Sequence, residues 1–224
     1  LTRETFLQEI GAEFCSFTGS VFNFDRFTQV KKNLRYDPRL PTYVGIDFGY
    51  RTSCAVVLQC RNYPDRLSDI YQIDEIFLQD SKTEELAKLV KGLPYNITAY
   101  FGDPAGAGSN LQTGISDFQL FSRQYGIRIR SRKDKQSRDV VNRISHMRRW
   151  FEDANGDTHF WVAERCKKSI SSYENYRYPT HRQDQQLKEV PLKDGINDHI
   201  NDALGFALVN LFPIKSRTAG IIEW

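Results

Sequence analysis

Apolar positions change period several times along the chain, and the changes mark its elements. Tyr43-Val44-Gly45-Ile46-Asp47-Phe48 reads as a strand ending in a carboxylate. Cys54-Ala55-Val56-Val57-Leu58-Gln59-Cys60 reads as a second strand, apolar enough to be buried on both faces. Residues 69 to 77 form a third, with partial alternation. Short turns at 49–53 and 62–65 make these three an antiparallel meander. Ser81 or Thr83 is expected to cap a helix to Lys91, which Gly92 and Pro94 stop. A fourth strand, Ile97-Thr98-Ala99-Tyr100-Phe101, runs into Gly102-Asp103-Pro104. A helix over 110–124, a short strand over 127–130 and a second amphipathic helix follow. That helix has Val140, Ile144, Met147 and Phe151 in register, with the arginines assigned to its other side. Residues 158–163 suggest a short strand, and a polar helix carrying Tyr173, Tyr176 and Tyr178 runs to Pro179. The last periodic segment opens with Asn197-Asp198-His199-Ile200-Asn201-Asp202 and continues as an apolar helix through Phe212.

The stretch before this core reads differently. Residues 1–40 hold a short helical pattern at 5–14, then Phe17, Val21, Phe22, Phe24 and Phe27 among small polar residues. These aromatics either cover the following domain or belong against a preceding one. Residues 1–40 are accordingly expected to be a linker or N-terminal extension, 41–212 the folded domain, and 213–224 a tail. The chain starts at Leu1, so a piece of something longer is expected.

Composition adds little to this frame. The 224 residues are 40% hydrophobic and 26% charged, with a net charge of +3, which suits a globular domain with a mildly basic balance. Distribution matters more: ten Lys or Arg fall between Arg123 and Arg149. Arg132, Lys133, Lys135, Arg138 and Arg143 are the candidates for phosphate contact, which gives affinity without sequence choice. No apolar run approaches the length of a membrane helix, and the start lacks a signal-peptide pattern. Cys15, Cys54, Cys60 and Cys166 lack metal-ligand spacing; buried free thiols in a reducing compartment fit best.

The order of elements then suggests a site. Three antiparallel strands followed by alternating helices and strands make a mixed sheet with helices on both faces. Its first and fourth strands would lie parallel and adjacent, so Asp47 and Asp103 would meet at one sheet edge. On the last helix, Asp198 and Asp202 are i and i+4, and His199 lies between them on roughly the same side. A helix start capped by Asn197 or Asp198 is the plainer reading of that turn. Converging carboxylates cannot all stay ionised without a cation, and hard oxygen donors select Mg²⁺ or Mn²⁺. Two such ions, about 3.5–4 Å apart, would clamp the attacking and leaving oxygens of a phosphodiester. The α/β fold expected is ribonuclease-H-like, with a five-stranded mixed sheet.

Three motifs sharpen this into a resemblance. Val44-Gly45-Ile46-Asp47, Gly102-Asp103-Pro104 and Asp198-His199-Ile200-Asn201-Asp202-Ala203-Leu204 resemble the acidic motifs of the nuclease domain of bacteriophage large terminases. Phe6-Leu7-Gln8-Glu9, Glu13-Phe14 and Gly19-Ser20-Val21-Phe22 look like the segment joining that domain to an ATPase. The resemblance implies a metal-dependent endonuclease that cuts double-stranded viral DNA concatemers during genome packaging. It implies an ATPase domain in the same polypeptide, a portal protein and a small terminase subunit as partners, and a place in the host cytoplasm at the procapsid. The chain has no GxxxxGK[ST] loop, so the ATPase is not in it. Asp47, Asp103 and Asp202 carry over as metal ligands. His199 matches a histidine three residues before the last acid in some members. Asp198 is extra: a second-site ligand or a cap. Some members have glutamate at the second position, where Asp103 is shorter.

Other classes stay in view. A junction resolvase or integrase-type nuclease shares the chemistry. A DNA-binding or docking module with a dead site would need no metal. Gly45-Ile46-Asp47-Phe48-Gly49-Tyr50-Arg51-Thr52-Ser53 resembles the first phosphate loop of actin-like ATPases, but those need a second such domain.

Overall fold

The computed structural model describes residues 19–49, 51–65, 68–108, 114–179 and 190–214. Its strands are β1 (Val30–Lys31), β2 (Thr42–Asp47), β3 (Thr52–Arg61), β4 (Asp69–Gln79), β5 (Ile97–Gly102), β6 (Ile129–Arg130) and β7 (Phe160–Ala163). They form one mixed sheet in the order β1-β7-β4-β3-β2-β5-β6. The helices are α1 (Arg26–Gln29), α2 (Thr83–Lys91), α3 (Asp117–Tyr125), α4 (Lys135–Arg138), α5 (Val140–Phe151), α6 (Lys167–Asn175) and α7 (Asp198–Leu211). The meander is present as β2-β3-β4, all antiparallel. β5 lies parallel to β2, as the element order requires.

The sheet has seven strands where five are expected. β7 runs parallel to β4 and covers its outer edge, and β1 adds to β7. β1 has only two residues, too few for a period of two to show in the sequence. It comes from the stretch before residue 41, and Val21 and Phe22 of that stretch are core residues. Phe22 stacks on Phe151, with ring centroids 4.3 Å apart. Of the two readings of these aromatics, Val21, Phe22 and Phe24 cover this domain, whereas Phe27 is exposed and Phe17 lies outside the described residues. Residues 1–18 and 215–224 lie outside the described residues.

Strand parity divides the core in two. Val44, Ile46, Ala55 and Val57 face α2 and α3, through Leu86, Ala87, Val90, Leu120 and Phe121. Tyr43, Cys54, Val56, Leu58, Ala99 and Phe101 face the other side, with α5, α6 and α7. Side chains alternate across a strand, so Gly45 and Asp47 share the second face with Tyr43. The helix starts differ in detail from the sequence reading. α2 begins at Thr83 with no side-chain cap, and α3 begins at Asp117 behind a Ser116–Gln119 capping box. Asp74 and Glu75 on β4 are both engaged. The Tyr95 hydroxyl donates to Asp74 at 2.8 Å, and Glu75 caps α6, accepting from the amides of Lys168 and Ser169 at 2.8 and 2.7 Å. Cys54, Cys60 and Cys166 are buried free thiols.

α7 lies directly on β2. A Cβ at Gly45 would collide with the Ala203 carbonyl oxygen and stand 2.9 Å from Ala207 Cβ. Glycine is therefore required here for close backbone approach. Gly45→Ala is expected to destabilise the domain by about 2–3 kcal/mol, since neither strand nor helix backbone can give way. Equilibrium urea denaturation measures this; an unchanged midpoint would contradict the packing.

Candidate functional site

The carboxyl ends of β2 and β5 set the first two acids side by side. Ile46 pairs with Gly102 in the parallel register, so Asp47 and Asp103 are the next residues on neighbouring strands. Asp103 continues the parity of Ala99 and Phe101 and caps the 3₁₀ turn Pro104–Ala107, accepting from the Ala105 amide at 2.9 Å. The first turns of α7 lie over this edge and bring His199 and Asp202. His199 Nδ1 is 2.7 Å from Asp47 Oδ2. A Cβ at Gly49 would stand 3.1 Å from His199 Cε1, so the turn after β2 also approaches the ring closely.

The electrostatics follow from burial. Asp47 is 7% exposed. Burial pushes its carboxyl above the ordinary value; the His199 hydrogen bond pulls it down, and the charges of Asp202 and Asp103 push it up again. The hydrogen bond to Asp47 raises His199, against the effect of its own burial. Both partners are thus biased towards holding a proton between them.

Asp198 is not the helix cap. Asn197 makes no side-chain cap bond. Asp194 closes the turn before the helix, accepting from the amides of Ile196 and Asn197 at 2.9 and 2.7 Å. Asp198 is 6% exposed, and its Oδ1 is buried without a hydrogen-bond partner. A buried carboxylate oxygen left so is costly unless a cation answers it. Among the described residues, no three His, Cys, Asp or Glu side chains already stand closely enough to hold an ion. The residues nevertheless fit a hard divalent cation: the acids offer only oxygen, they repel one another at Asp47, and Asp198 has a buried oxygen without a hydrogen-bond partner.

No family model matches the chain. It is 24% identical over 221 residues to the large terminase subunit of Escherichia phage T5, a match covering 94% of this chain and 46% of that protein. The chain thus spans about half the length of the curated relative it matches. Among solved structures, the large terminase of a thermophilic bacteriophage, in complex with ATP-gamma-S, superposes with a TM-score of 0.66 at 20% identity, over 91% of this chain and 48% of that one. The large-terminase nuclease domain of bacteriophage SPP1, with bound Mn, gives 0.58 at 17% identity, over 81% and 95%. The fold is that of a large-terminase nuclease domain.

Within that terminase-nuclease fold, the structure brings Asp47, Asp103, His199 and Asp202 to one edge and leaves Asp198 buried beside them. The basic residues separate into two groups. Lys133, Lys135 and Arg138 are exposed and, with Asp139, line an open groove of about 430 Å³. Arg132, partly exposed, pairs with Asp134 at 2.9 Å. Arg143 departs from the expected exposed face: it is 5% exposed, and its Nη2 donates to Asp202 Oδ1 at 2.5 Å. Arg148 and Arg149 are also turned to the protein. Arg148 donates to the Val21 carbonyl at 2.9 Å. Arg149 Nη2 stands 2.5 Å from His146 Nδ1, whose ring burial and Arg149 hold down to about 3.

The Arg143–Asp202 pair is the feature the sequence reading misses. A signal for it exists: Arg143 is i+3 from Val140 and i−4 from Met147, inside the apolar stripe it was placed opposite. His199 should therefore titrate above the ordinary histidine value of about 6.5. Because Asp47 and His199 are both raised, the folded state binds extra protons there. The His199 contribution is present below its unfolded value, as long as Asp47 stays ionised, and fades as pH rises through its raised folded value. NMR titration of the His199 ring in metal-free protein reads this directly; Asp47→Asn should lower the His199 value, and no change would remove Asp47 as the cause.

Proposed function

We propose that this chain is the nuclease domain of a phage large terminase: a divalent-metal-dependent endonuclease that cuts double-stranded DNA with little sequence preference during genome packaging. What supports the reading is the placing of Asp47 and Asp103 at adjacent strand ends beneath the α7 turn that carries Asp202, which Arg143 links to a basic groove. Asp47, Asp103 and Asp202 would hold Mg²⁺ or Mn²⁺, with Asp198 as the further donor. Bound there, such ions would lower the pKa of an attacking water and offset charge on the departing 3′ oxygen. The Mn in the SPP1 nuclease domain supports divalent-metal use.

The chain's own groups do the rest. Lys133, Lys135 and Arg138 hold the phosphate backbone along the groove, with Arg132 next to Lys133 in the chain. His199, hydrogen-bonded to Asp47, keeps that carboxylate oriented and can exchange a proton at the mouth of the site. Contacts to phosphates position the duplex without reading bases, which suits cutting at no fixed sequence. The other parts of the reading rest on the terminase resemblance: an ATPase domain in the same polypeptide, portal and small-subunit partners, and work in the host cytoplasm at the procapsid. Among the described residues, no helix is long and apolar enough to cross a membrane.

Cleavage of supercoiled plasmid with metals varied tests the chemistry. Mn²⁺ or Mg²⁺ should support nicking and linearisation, and EDTA should abolish it. Asp47→Asn and Asp202→Asn should each lower the rate by at least about 100-fold. Full cleavage by Asp47→Asn would rule out the metal assignment; metal-independent DNA binding without cleavage would favour the docking-module reading. DNA affinity should fall steeply with salt, and charge reversal at Lys135 or Arg138 should weaken it and lower the salt slope by about one or two. Salt-independent binding would remove the groove from the reading.

A further inference from the structure

Arg143 is held too firmly and too deeply to be a phosphate contact. Its Nη2 donates to Asp202 Oδ1 at 2.5 Å and its Nη1 to the Arg138 carbonyl at 2.9 Å. The guanidinium carbon lies 4.5 Å from the centroid of the Phe206 ring. Gly205 makes the room: a Cβ there would stand 3.2 Å from Arg143 Nε and 3.3 Å from Cδ. The Arg143 side chain is 6% exposed and that of Asp202 18%. By contrast, Lys133, Lys135 and Arg138 are open to solvent.

We propose that Arg143 is a resident counter-cation: a positioning residue that balances the acid cluster before metal arrives and fixes Asp202 by one oxygen. The proposal rests on the reading of Asp47, Asp103 and Asp202 as the ion-holding acids. Two opposed effects follow. A guanidinium on Oδ1 opposes a second cation on the same carboxylate, so Arg143 holds metal affinity down. The same bond keeps Asp202 in one orientation, which the chemical step requires. Arg143 also grips the carbonyl of Arg138, a residue of the basic groove, so one side chain ties the groove wall to the acid site. Planar guanidinium geometry makes both donations at once; a lysine ammonium keeps the charge but not the fork.

The test uses the full chain as wild type, Arg143→Gln, Arg143→Lys, Asp202→Asn and the double variant Arg143→Gln/Asp202→Asn. In EDTA, Arg143→Gln should melt about 5 °C lower, because it leaves a half-buried carboxylate unanswered. Adding Asp202→Asn should recover most of that loss, and Arg143→Lys should fall between. Titration of Mn²⁺, read by its EPR signal, should show Arg143→Gln binding at least about fivefold tighter than wild type. At saturating Mn²⁺ the same variant should cut plasmid at least about tenfold more slowly. A residue that only supports the fold would lower stability and metal binding together. Additive melting losses in the double variant, or Mn²⁺ binding by Arg143→Gln no tighter than wild type, would overturn the proposal. A wild-type chain that binds no Mn²⁺ overturns the metal reading instead; the EDTA melting cycle then still decides whether Arg143 answers Asp202.

Discussion

Backbone contact between α7 and β2 is the constraint on which the site depends. At Gly45 the strand has no side chain, and the Ala203 carbonyl and Ala207 methyl fill the space where one would be. This sets the height of the helix above the sheet. It also sets how far His199 and Asp202 stand from Asp47. A larger residue at Gly45 would lift the helix and open the hydrogen bond of 2.7 Å between His199 and Asp47. The apolar length of α7, buried almost throughout, supplies the burial that holds the helix down.

Once the acids are together, each needs an answer to its charge. Asp47 has His199, at the cost of a proton shared within a buried pair. Asp202 has Arg143, supplied by the helix that follows the basic groove in the chain. Asp103 stays nearer the surface and is held by the turn it caps. Asp198 has no answer on Oδ1. The acids thus differ in kind: two are balanced by protein cations, one by backbone and position, and one remains open. That inequality separates this edge from an ordinary cluster of surface acids.

The sheet provides the register, and the outlying elements give it rigidity. β2 and β5 run parallel, so their carboxyl ends coincide and their side-chain parity matches. β7 and β1 extend the sheet on the far side, and the stretch before β2 locks onto α5 through Phe22 and Arg148. None of this needs close sequence similarity. The fold is shared with the thermophilic-phage and SPP1 proteins at 17–20% identity.

Much of this was legible in the residues. The meander, the parallel placement of β5 and the carboxylates at two strand ends follow from apolar period and element order, because these are local or nearly local properties. Asp47, Asp103 and the α7 turn could be named for the same reason. The two-residue β1 could not, since strand pairing at that length is decided by the neighbour it meets. Nor could the role of Arg143: its place in the apolar stripe shows in the sequence, but which charge it faces depends on two helices packing across Gly205. The same holds for Asp198, whose position at a helix start fits a cap until its Oδ1 is seen to be buried without a hydrogen-bond partner. Sequence by itself determined which side chains could carry the chemistry. Only the tertiary structure decided which charges answer each other, because that depends on contacts between residues far apart in the chain.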